Sequence, residues 1–513
     1  MDRIKKIIKV LICIFLCISY LIGCSSITGE VQWESKDELV FGTTLSTKSL
    51  DPANGYSGWF LVRYGVGETL FKLDENMDVM PWLAESYEIV NNTTWKIKIG
   101  DNIKFQNGKI LTAKSVKESL ERTIELNSRA RLTLKIENIE VDENSIVITT
   151  TEENPTLIND LCDPFSSIID VNSSEDIDVS PIGTGPFMVE EFNHSGASYF
   201  KKNNDYWGGE VKLNSIKVLP IGDADTLAMA LQSGEIDVAQ GLSYSMINLF
   251  ESDSNYKISS VDTSRAILMY FNENNDKLSN GNLRKAINML IDKNLYSNSI
   301  LNGQATPAIG VFPSSTNYSL ENSYISYDKD MALEILKNEG YIDSNNDGIL
   351  DKDGINLSFN LVTYSSRAEL SSIAQAIQDD LKNVGIEVKI EISDNITDIL
   401  SSGNFDLALY SNITSGTGDS LAYLNNVFRS DGASNYGSYN NLEVDELIDK
   451  LKLEFNSEER DKLTVQIQER ALSDNSYNFI AHMKMSFVMK NNVTGINPHP
   501  TDYYQFNANT NIE

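Results

Sequence analysis

Three histidines, His194, His482 and His499, are the whole imidazole content of this 513-residue chain, which leaves little material for proton transfer or metal ligation. His194 sits in Asn193-His194-Ser195-Gly196, a run that reads as a hairpin tip. His482 and His499 stand 17 positions apart. That is too far for one helix face, so they form a binding pair only if the fold brings them together. Packing and surface hydrogen bonding is the plainer role, and both are kept as candidate ligand-binding residues. A histidine-based triad draws on distant positions, but no Gly-x-Ser-x-Gly elbow, His-Glu-x-x-His helix, Walker A loop or Cys-x-x-Cys pair occurs. These residues support neither catalysis nor a cofactor. Asp343, Asn345, Asp347 and Asp351 occupy positions 1, 3, 5 and 9 of a calcium-type loop with Gly348 at 6, but position 12 is Gly354 where a bidentate Glu is needed. An exposed Asn/Asp/Gly turn explains the same letters and is the expectation, with weak calcium binding left open. Bare metal ions are poor ligands for a chain this short of His and Cys.

Residues 1–24 carry a different chemistry. Arg3, Lys5, Lys6 and Lys9 make a basic start, and Ile7 to Tyr20 is a largely apolar run in which Lys9 is the one charge. This has the length of a secretory core and is short for a membrane span of about 20 residues. Leu21-Ile22-Gly23-Cys24 resembles the lipobox of bacterial lipoproteins, which implies cleavage before Cys24 and a lipid on its sulfur. Residues 1–23 are expected as a signal peptide and 24–36 as a lipidated tether, with the remainder held to the cell membrane from outside. Cys13 and Cys17 leave with the leader, so Cys162 stands alone as an ordinary buried thiol and no intramolecular disulfide forms.

The formal charge is −31, and removing the leader leaves 38 basic and 72 acidic residues, a net −34. Such a surface excludes nucleic acid as a partner. With 41% hydrophobic and 22% charged residues the chain is globular, and its length exceeds one core, so two lobes are expected.

The elements that must position any site alternate between strand and helix. Leu39 to Thr44 reads as a buried strand, and Thr94 to Ile99 as a half-buried one, with Trp95, Ile97 and Ile99 on one face. Thr112 should cap a helix carrying Val116, Leu120 and Ile124 on one side. A helix from Leu227 should stop at Gly234, with Ile236-Asp237-Val238 opening a strand. A helix from Ile373 should stop at Gly385 before a strand over Glu387 to Ile392, and Phe405 to Tyr410 reads as another buried strand. This alternation predicts an α/β architecture with helices packed on sheets.

Several segments in order resemble family 5 extracellular solute-binding proteins, the peptide- and nickel-type receptors of ABC importers. They are Val79-Met80-Pro81-Trp82-Leu83-Ala84-Glu85-Ser86-Tyr87; Trp95 to Ile99 leading to Phe105-Gln106-Asn107-Gly108; Thr112-Ala113-Lys114-Ser115-Val116; Pro181-Ile182-Gly183-Thr184-Gly185-Pro186-Phe187; Tyr206-Trp207-Gly208; Gly234-Glu235-Ile236-Asp237; and Leu283-Arg284-Lys285-Ala286-Ile287. Gly183, Gly185 and Pro186 suit a tight turn into a strand through φ freedom followed by a fixed φ. The resemblance implies a periplasmic-binding-protein-like, two-lobe fold with an inter-lobe cleft and a two-strand hinge near Met269–Asn272 and Lys484–Val488. Lobe I would take 37–270 and 485–513, and lobe II 271–484. Lobe closure around a solute is a hinge motion.

The resemblance also suggests the ligand class. Peptide receptors hold the peptide amine with an Asp whose place here falls near Gly416. Asp419 matches a second, more structural Asp, and Thr414 stands at or beside the usual Trp. Asn127-Ser128-Arg129-Ala130-Arg131 is similar to the Arg-x-Arg segment of the nickel and metallophore branch, where arginine meets a carboxylate-rich chelate bidentately. Arg429 and Asn435 offer an alternative anion clamp, and Tyr56 and Trp59 match aromatics at the cleft mouth. The implied function is a lipid-anchored, monomeric receptor that passes a metal chelate to an ABC permease and its ATPase subunits. Oligopeptide is the second ligand class, and a secreted hydrolase the rival of another class.

Overall fold

The computed structural model describes residues 37–323 and 325–513; the signal peptide, Cys24 and the tether lie outside the described residues. The spine of this mixed α/β fold is one sheet of eleven strands. Its order is Glu387–Ile392, Ser358–Thr363, Leu407–Ile413, Tyr256–Phe271, Tyr477–Lys490, Val238–Gln240, Glu38–Thr43, Ser215–Pro220, Ser198–Lys202 and Phe187–Glu191, with Ala305–Pro307 added beside Tyr477–Lys490. Tyr256–Phe271 and Tyr477–Lys490 run antiparallel through the middle and serve both halves. Tyr256 to Asp262 pairs with Lys484 to Lys490 on one side, and Ala266 to Tyr270 pairs with Tyr477 to His482 on the other. The ladder is interrupted between Asp262 and Ala266, and such irregularities bend a strand locally.

Period two along the central strand explains why its Ala266–Phe271 end is continuously apolar. Ile267, Met269 and Phe271 enter one core, and Ala266, Leu268 and Tyr270 enter another on the opposite face. Leu39 and Phe41 divide from Val40 in the same way at the other end of the sheet. A separate four-stranded sheet, ordered Ala84–Asn91, Thr94–Ile99, Ser145–Thr150 and Ile136–Asp142, buries Trp95, Ile97 and Ile99. Helix Ala113–Leu126 covers it with Val116 and Leu120; Thr112 Oγ1 accepts from Ser115 N–H, and Ser115 Oγ accepts from Thr112 N–H.

Three local expectations shift. The strand expected from Ile236 starts at Val238, because Asp237 accepts Val40 N–H at 2.9 Å and pairs with Lys490 at 2.7 Å. The strand expected over Phe405 to Tyr410 runs Leu407–Ile413, extended by pairing that reaches Arg265 opposite Ile413. Gly183 and Gly185 are needed for close approach and not for φ: an added Cβ would stand 2.0 Å from Val66 O and 2.2 Å from Gly65 O.

Candidate functional site

Around the interruption of the central ladder the two lobes enclose a cavity of about 720 Å³. Thr44 and Gln240 reach it from the carboxyl ends of parallel strands, where α/β folds place their ligands. Thr263, Arg265, Met483 and Met485 come from the two long strands, Arg367 and Glu369 from the start of the helix after Ser358–Thr363, and Tyr56, Trp59 and Arg63 from around helix Gly58–Arg63. Four cations, Arg63, Arg265, Arg367 and Lys484, face two carboxylates, Glu369 and Asp502, so the wall carries a net +2. No histidine or cysteine lines it among the described residues.

Most of these charges already have partners. Arg63 forms an ion pair with Asp502, and its Nε donates to Asp502 O at 2.8 Å. Asp502 also accepts from Gln240 at 3.2 Å and Gln505 at 3.0 Å. Arg367 lies 3.5 Å from Glu369, and Lys484 donates to Gly303 O at 3.1 Å. The Arg265 guanidinium has no hydrogen bond or ion pair among the described residues. Burial first, and then the like charge of Arg367, lower its pKa to about 10, so it stays protonated at neutral pH. Trp59 Nε1 is likewise a buried donor without an acceptor. This wall is built to receive acceptor atoms and negative charge.

The family model of bacterial extracellular solute-binding proteins, family 5 Middle, matches residues 78–435. The chain belongs to family 5 of the extracellular solute-binding proteins. It is 30% identical over 506 residues to the nickel-binding protein NikA of Staphylococcus aureus, covering 98% of this chain and 99% of that one. A crystal structure of S. aureus NikA in complex with Ni(L-His)2 covers 93% of this chain and 100% of its own, at 30% identity and a TM-score of 0.73. A nickel ABC transporter structure from Bacillus halodurans is 32% identical over 93% of this chain and 100% of its own, with a TM-score of 0.85. The oligopeptide-binding protein AppA of Bacillus subtilis is 26% identical, covering 84% and 83%. As a family 5 member the protein is a two-lobe, extracytoplasmic solute-binding protein and not an enzyme.

Within this family 5 protein only Tyr56 and Trp59, of the ten candidate binding residues, line the cavity. They meet edge to face with ring centroids 4.8 Å apart, and the Arg129 guanidinium lies over the Tyr56 ring at 4.6 Å. Arg129 holds Asp163 bidentately and sits outside the cavity wall, while Arg131 is exposed and lies outside it too. Arg429 is engaged on the surface by Asp431 and Asp449. Asn435 ties a loop by donating to the carbonyls of Arg429, Ser430 and Tyr439. Thr414 donates to Ser264 O at 3.1 Å, and Asp419 pairs with Arg460 at 2.6 Å.

The two histidines do not meet in a site. His482 is buried beside the central strand, and His499 bonds Thr501 Oγ1 and Asp74 O at 2.8 and 2.9 Å. Burial lowers both to a pKa of about 4, so both are neutral at physiological pH. The calcium-type loop is a turn: Asp343 accepts from Asp347 and Gly348 N–H, and Asp351 is taken up by Ser344. No group of three or more potential metal ligands occurs among the described residues. Cys162 is free and buried, and burial drives its thiol pKa well up, with Asp160 and Asp163 adding to the effect. In the native chain Cys162 should therefore resist iodoacetamide at about pH 8 and react quickly once unfolded in urea; rapid native labelling of the Cys162 peptide by mass spectrometry would contradict this burial.

Sequence reasoning missed Arg265, Arg367 and Asp502, and Tyr244, which also lines the cavity. None falls in a recognisable motif, and each is a single polar or aromatic letter in an ordinary strand, loop or helix.

Proposed function

We propose that this protein is the solute-binding component of an ABC importer and captures a carboxylate-bearing metal chelate of the nickel type. The observation that carries this reading is the unpartnered Arg265 in a cavity of net charge +2. A half-buried guanidinium gains most from a carboxylate that meets its fork. With no His or Cys on the wall, and only the weak thioethers Met483 and Met485 as soft donors, the protein offers a bare transition metal no full ligand set, so the chelator must bring the coordination sphere. Relatives named for nickel support the same class.

The same proposal includes a membrane anchor at Cys24, a monomeric receptor, and delivery to a permease with its ATPase subunits. The lobes would be 37–270 with 485–513, and 271–484, joined through the two long strands Tyr256–Phe271 and Tyr477–Lys490. An oligopeptide is disfavoured because Asp502 and Glu369, the carboxylates available for a peptide amine, are already paired with arginines.

Calorimetric titration tests the ligand class with three probes: Ni(II) with excess L-histidine, Ni(II) alone, and a mixed oligopeptide pool. Saturable one-to-one binding of the histidine chelate, with no comparable heat from Ni(II) or peptides, is expected. Tight binding of plain peptides with no response to the chelate would overturn the reading.

A further inference from the structure

Beside the cavity the lobes meet along a second surface that gathers several carboxylates. Asp78, Asp160 and Asp163 stand on one side, and Asp419 and Asp461 on the other. Among the described residues two hydrogen bonds cross it: Asn159 Nδ2 donates to Thr417 O at 3.0 Å, and Asn317 Nδ2 donates to Asp78 Oδ1 at 2.9 Å. Contact is close, since an added Cβ on Gly418 would stand 2.3 Å from Met77 O.

Only part of this negative charge is matched. Arg129 holds Asp163, and Arg460 holds Asp419. Asp78, Asp160 and Asp461 have no cationic partner within ion-pair distance among the described residues. Asp160 is almost fully buried; it accepts from Thr156 Oγ1 at 2.8 Å, and the Asn154 side chain also favours its charged form. It is opposed by Asp419 from across the contact and by Asp163 beside it. Asp461 is opposed by Asp419, by Asp78 from across the contact and by Glu458, with Arg460 acting the other way. Asp78 is opposed by Asp74. The remaining titratable neighbours are neutral: burial raises the pKa values of Cys162 and Tyr318, and His499 is uncharged.

We propose that bringing the lobes together takes up protons at this contact, so that an acidic medium favours the closed receptor and a basic one favours release. Like charges forced together out of water are relieved when one carboxylate is protonated. In the closed arrangement burial, followed by the neighbouring carboxylates, raises Asp160 to about 8 and Asp461 to about 6. Separating the lobes takes Asp419 away from Asp160 and Asp78 away from Asp461, so both titrate lower there, toward the value near about 4 of a solvated carboxylate. The closed form therefore holds extra protons between about pH 4 and pH 8. Closure strengthens as pH falls through that window and gains nothing below it. One proton taken up changes the closed-to-open ratio roughly tenfold per pH unit.

The test needs no solute. Spin labels at Lys114→Cys and Leu442→Cys, exposed positions on the two lobes, report the inter-lobe distance distribution by pulsed dipolar spectroscopy at about pH 5 and pH 8.5. The closed population should rise relative to the open one by at least about tenfold at the lower pH. Asp160→Asn combined with Asp461→Asn should be closed at both values. If Asp160→Asn does not fold, Asp461→Asn alone must still reduce the response below about pH 6. A distribution in the labelled chain that does not move with pH, or a full response in the variants, would overturn the proposal. Chelate binding plays no part in this readout, so a failure here is distinct from a failure of the ligand assignment.

Discussion

Replacing Arg265 with alanine is expected to weaken binding of the nickel–histidine chelate by roughly thirtyfold to several-thousandfold, the range that follows from losing about 2–5 kcal/mol at a buried charged hydrogen-bond partner. The effect should be this large because Arg265 has no internal carboxylate to fall back on, whereas Arg63 and Arg367 do. Arg265→Lys should recover part of the loss, since an ammonium supplies charge but not the planar fork. Arg131→Ala serves as the control: that side chain is exposed and away from the cavity, so affinity should stay within about twofold. Stability separates a binding role from a structural one. Removing an unpaired, largely desolvated cation costs the unliganded fold nothing and relieves desolvation, so Arg265→Ala should melt no lower than the unmodified chain. Calorimetry and thermal unfolding together decide the matter. Unchanged affinity, or a large drop in melting temperature, would remove Arg265 from the site.

What the sequence made legible follows from the range of the forces involved. Helix Ala113–Leu126 was readable because its cap, Thr112 with Ser115, and its buried stripe, Val116 and Leu120, are set by residues three and four apart. The strand Thr94–Ile99 was readable for the same reason at period two. The family segments were readable too, and in the structure they support the fold. Trp207 Nε1 and Thr184 Oγ1 both donate to the buried Glu68 carboxylate, at 2.8 and 2.7 Å, and Gly183 and Gly185 let two backbones touch. The cleft was mostly not readable. Arg129, Arg429 and Arg265 are identical letters, and what separates them is whether a carboxylate is nearby in space. Asp163 satisfies the first, Asp431 and Asp449 the second, and none of the described residues the third. Arg265 and Arg367 come together because Leu407–Ile413 lies between their strands in the sheet, an arrangement that no spacing along the chain reveals.

Lys490→Met is expected to destabilise the fold by about 3–5 kcal/mol, the usual consequence of breaking a buried ion pair from one side. Lys490 Nζ lies 2.7 Å from Asp237 Oδ1, with both side chains essentially inaccessible to water. The pair joins three strands: Asp237 Oδ2 accepts Val40 N–H, Asp237 N–H donates to Val40 O at 2.7 Å, and Lys490 N–H donates to Asp237 O at 3.0 Å. Taking away the ammonium leaves the Asp237 carboxylate at the junction of Glu38–Thr43, Val238–Gln240 and Tyr477–Lys490 without its cation. Methionine fills most of the lysine stem's volume, so the loss reads charge more than packing. Adding Asp237→Asn to Lys490→Met removes the stranded charge while an amide oxygen can still accept from Val40. The double variant should therefore be more stable than Lys490→Met alone, although it changes one residue more. Urea unfolding of the three chains measures this directly. A single variant within about 1 kcal/mol of the unmodified chain, or a double variant no better than the single, would show that the junction is held by backbone pairing and packing and that the ion pair adds little. Because the junction lies in the lobe opposite Arg367 and Glu369, the loss should appear in stability and leave the chelate affinity of the folded fraction unchanged.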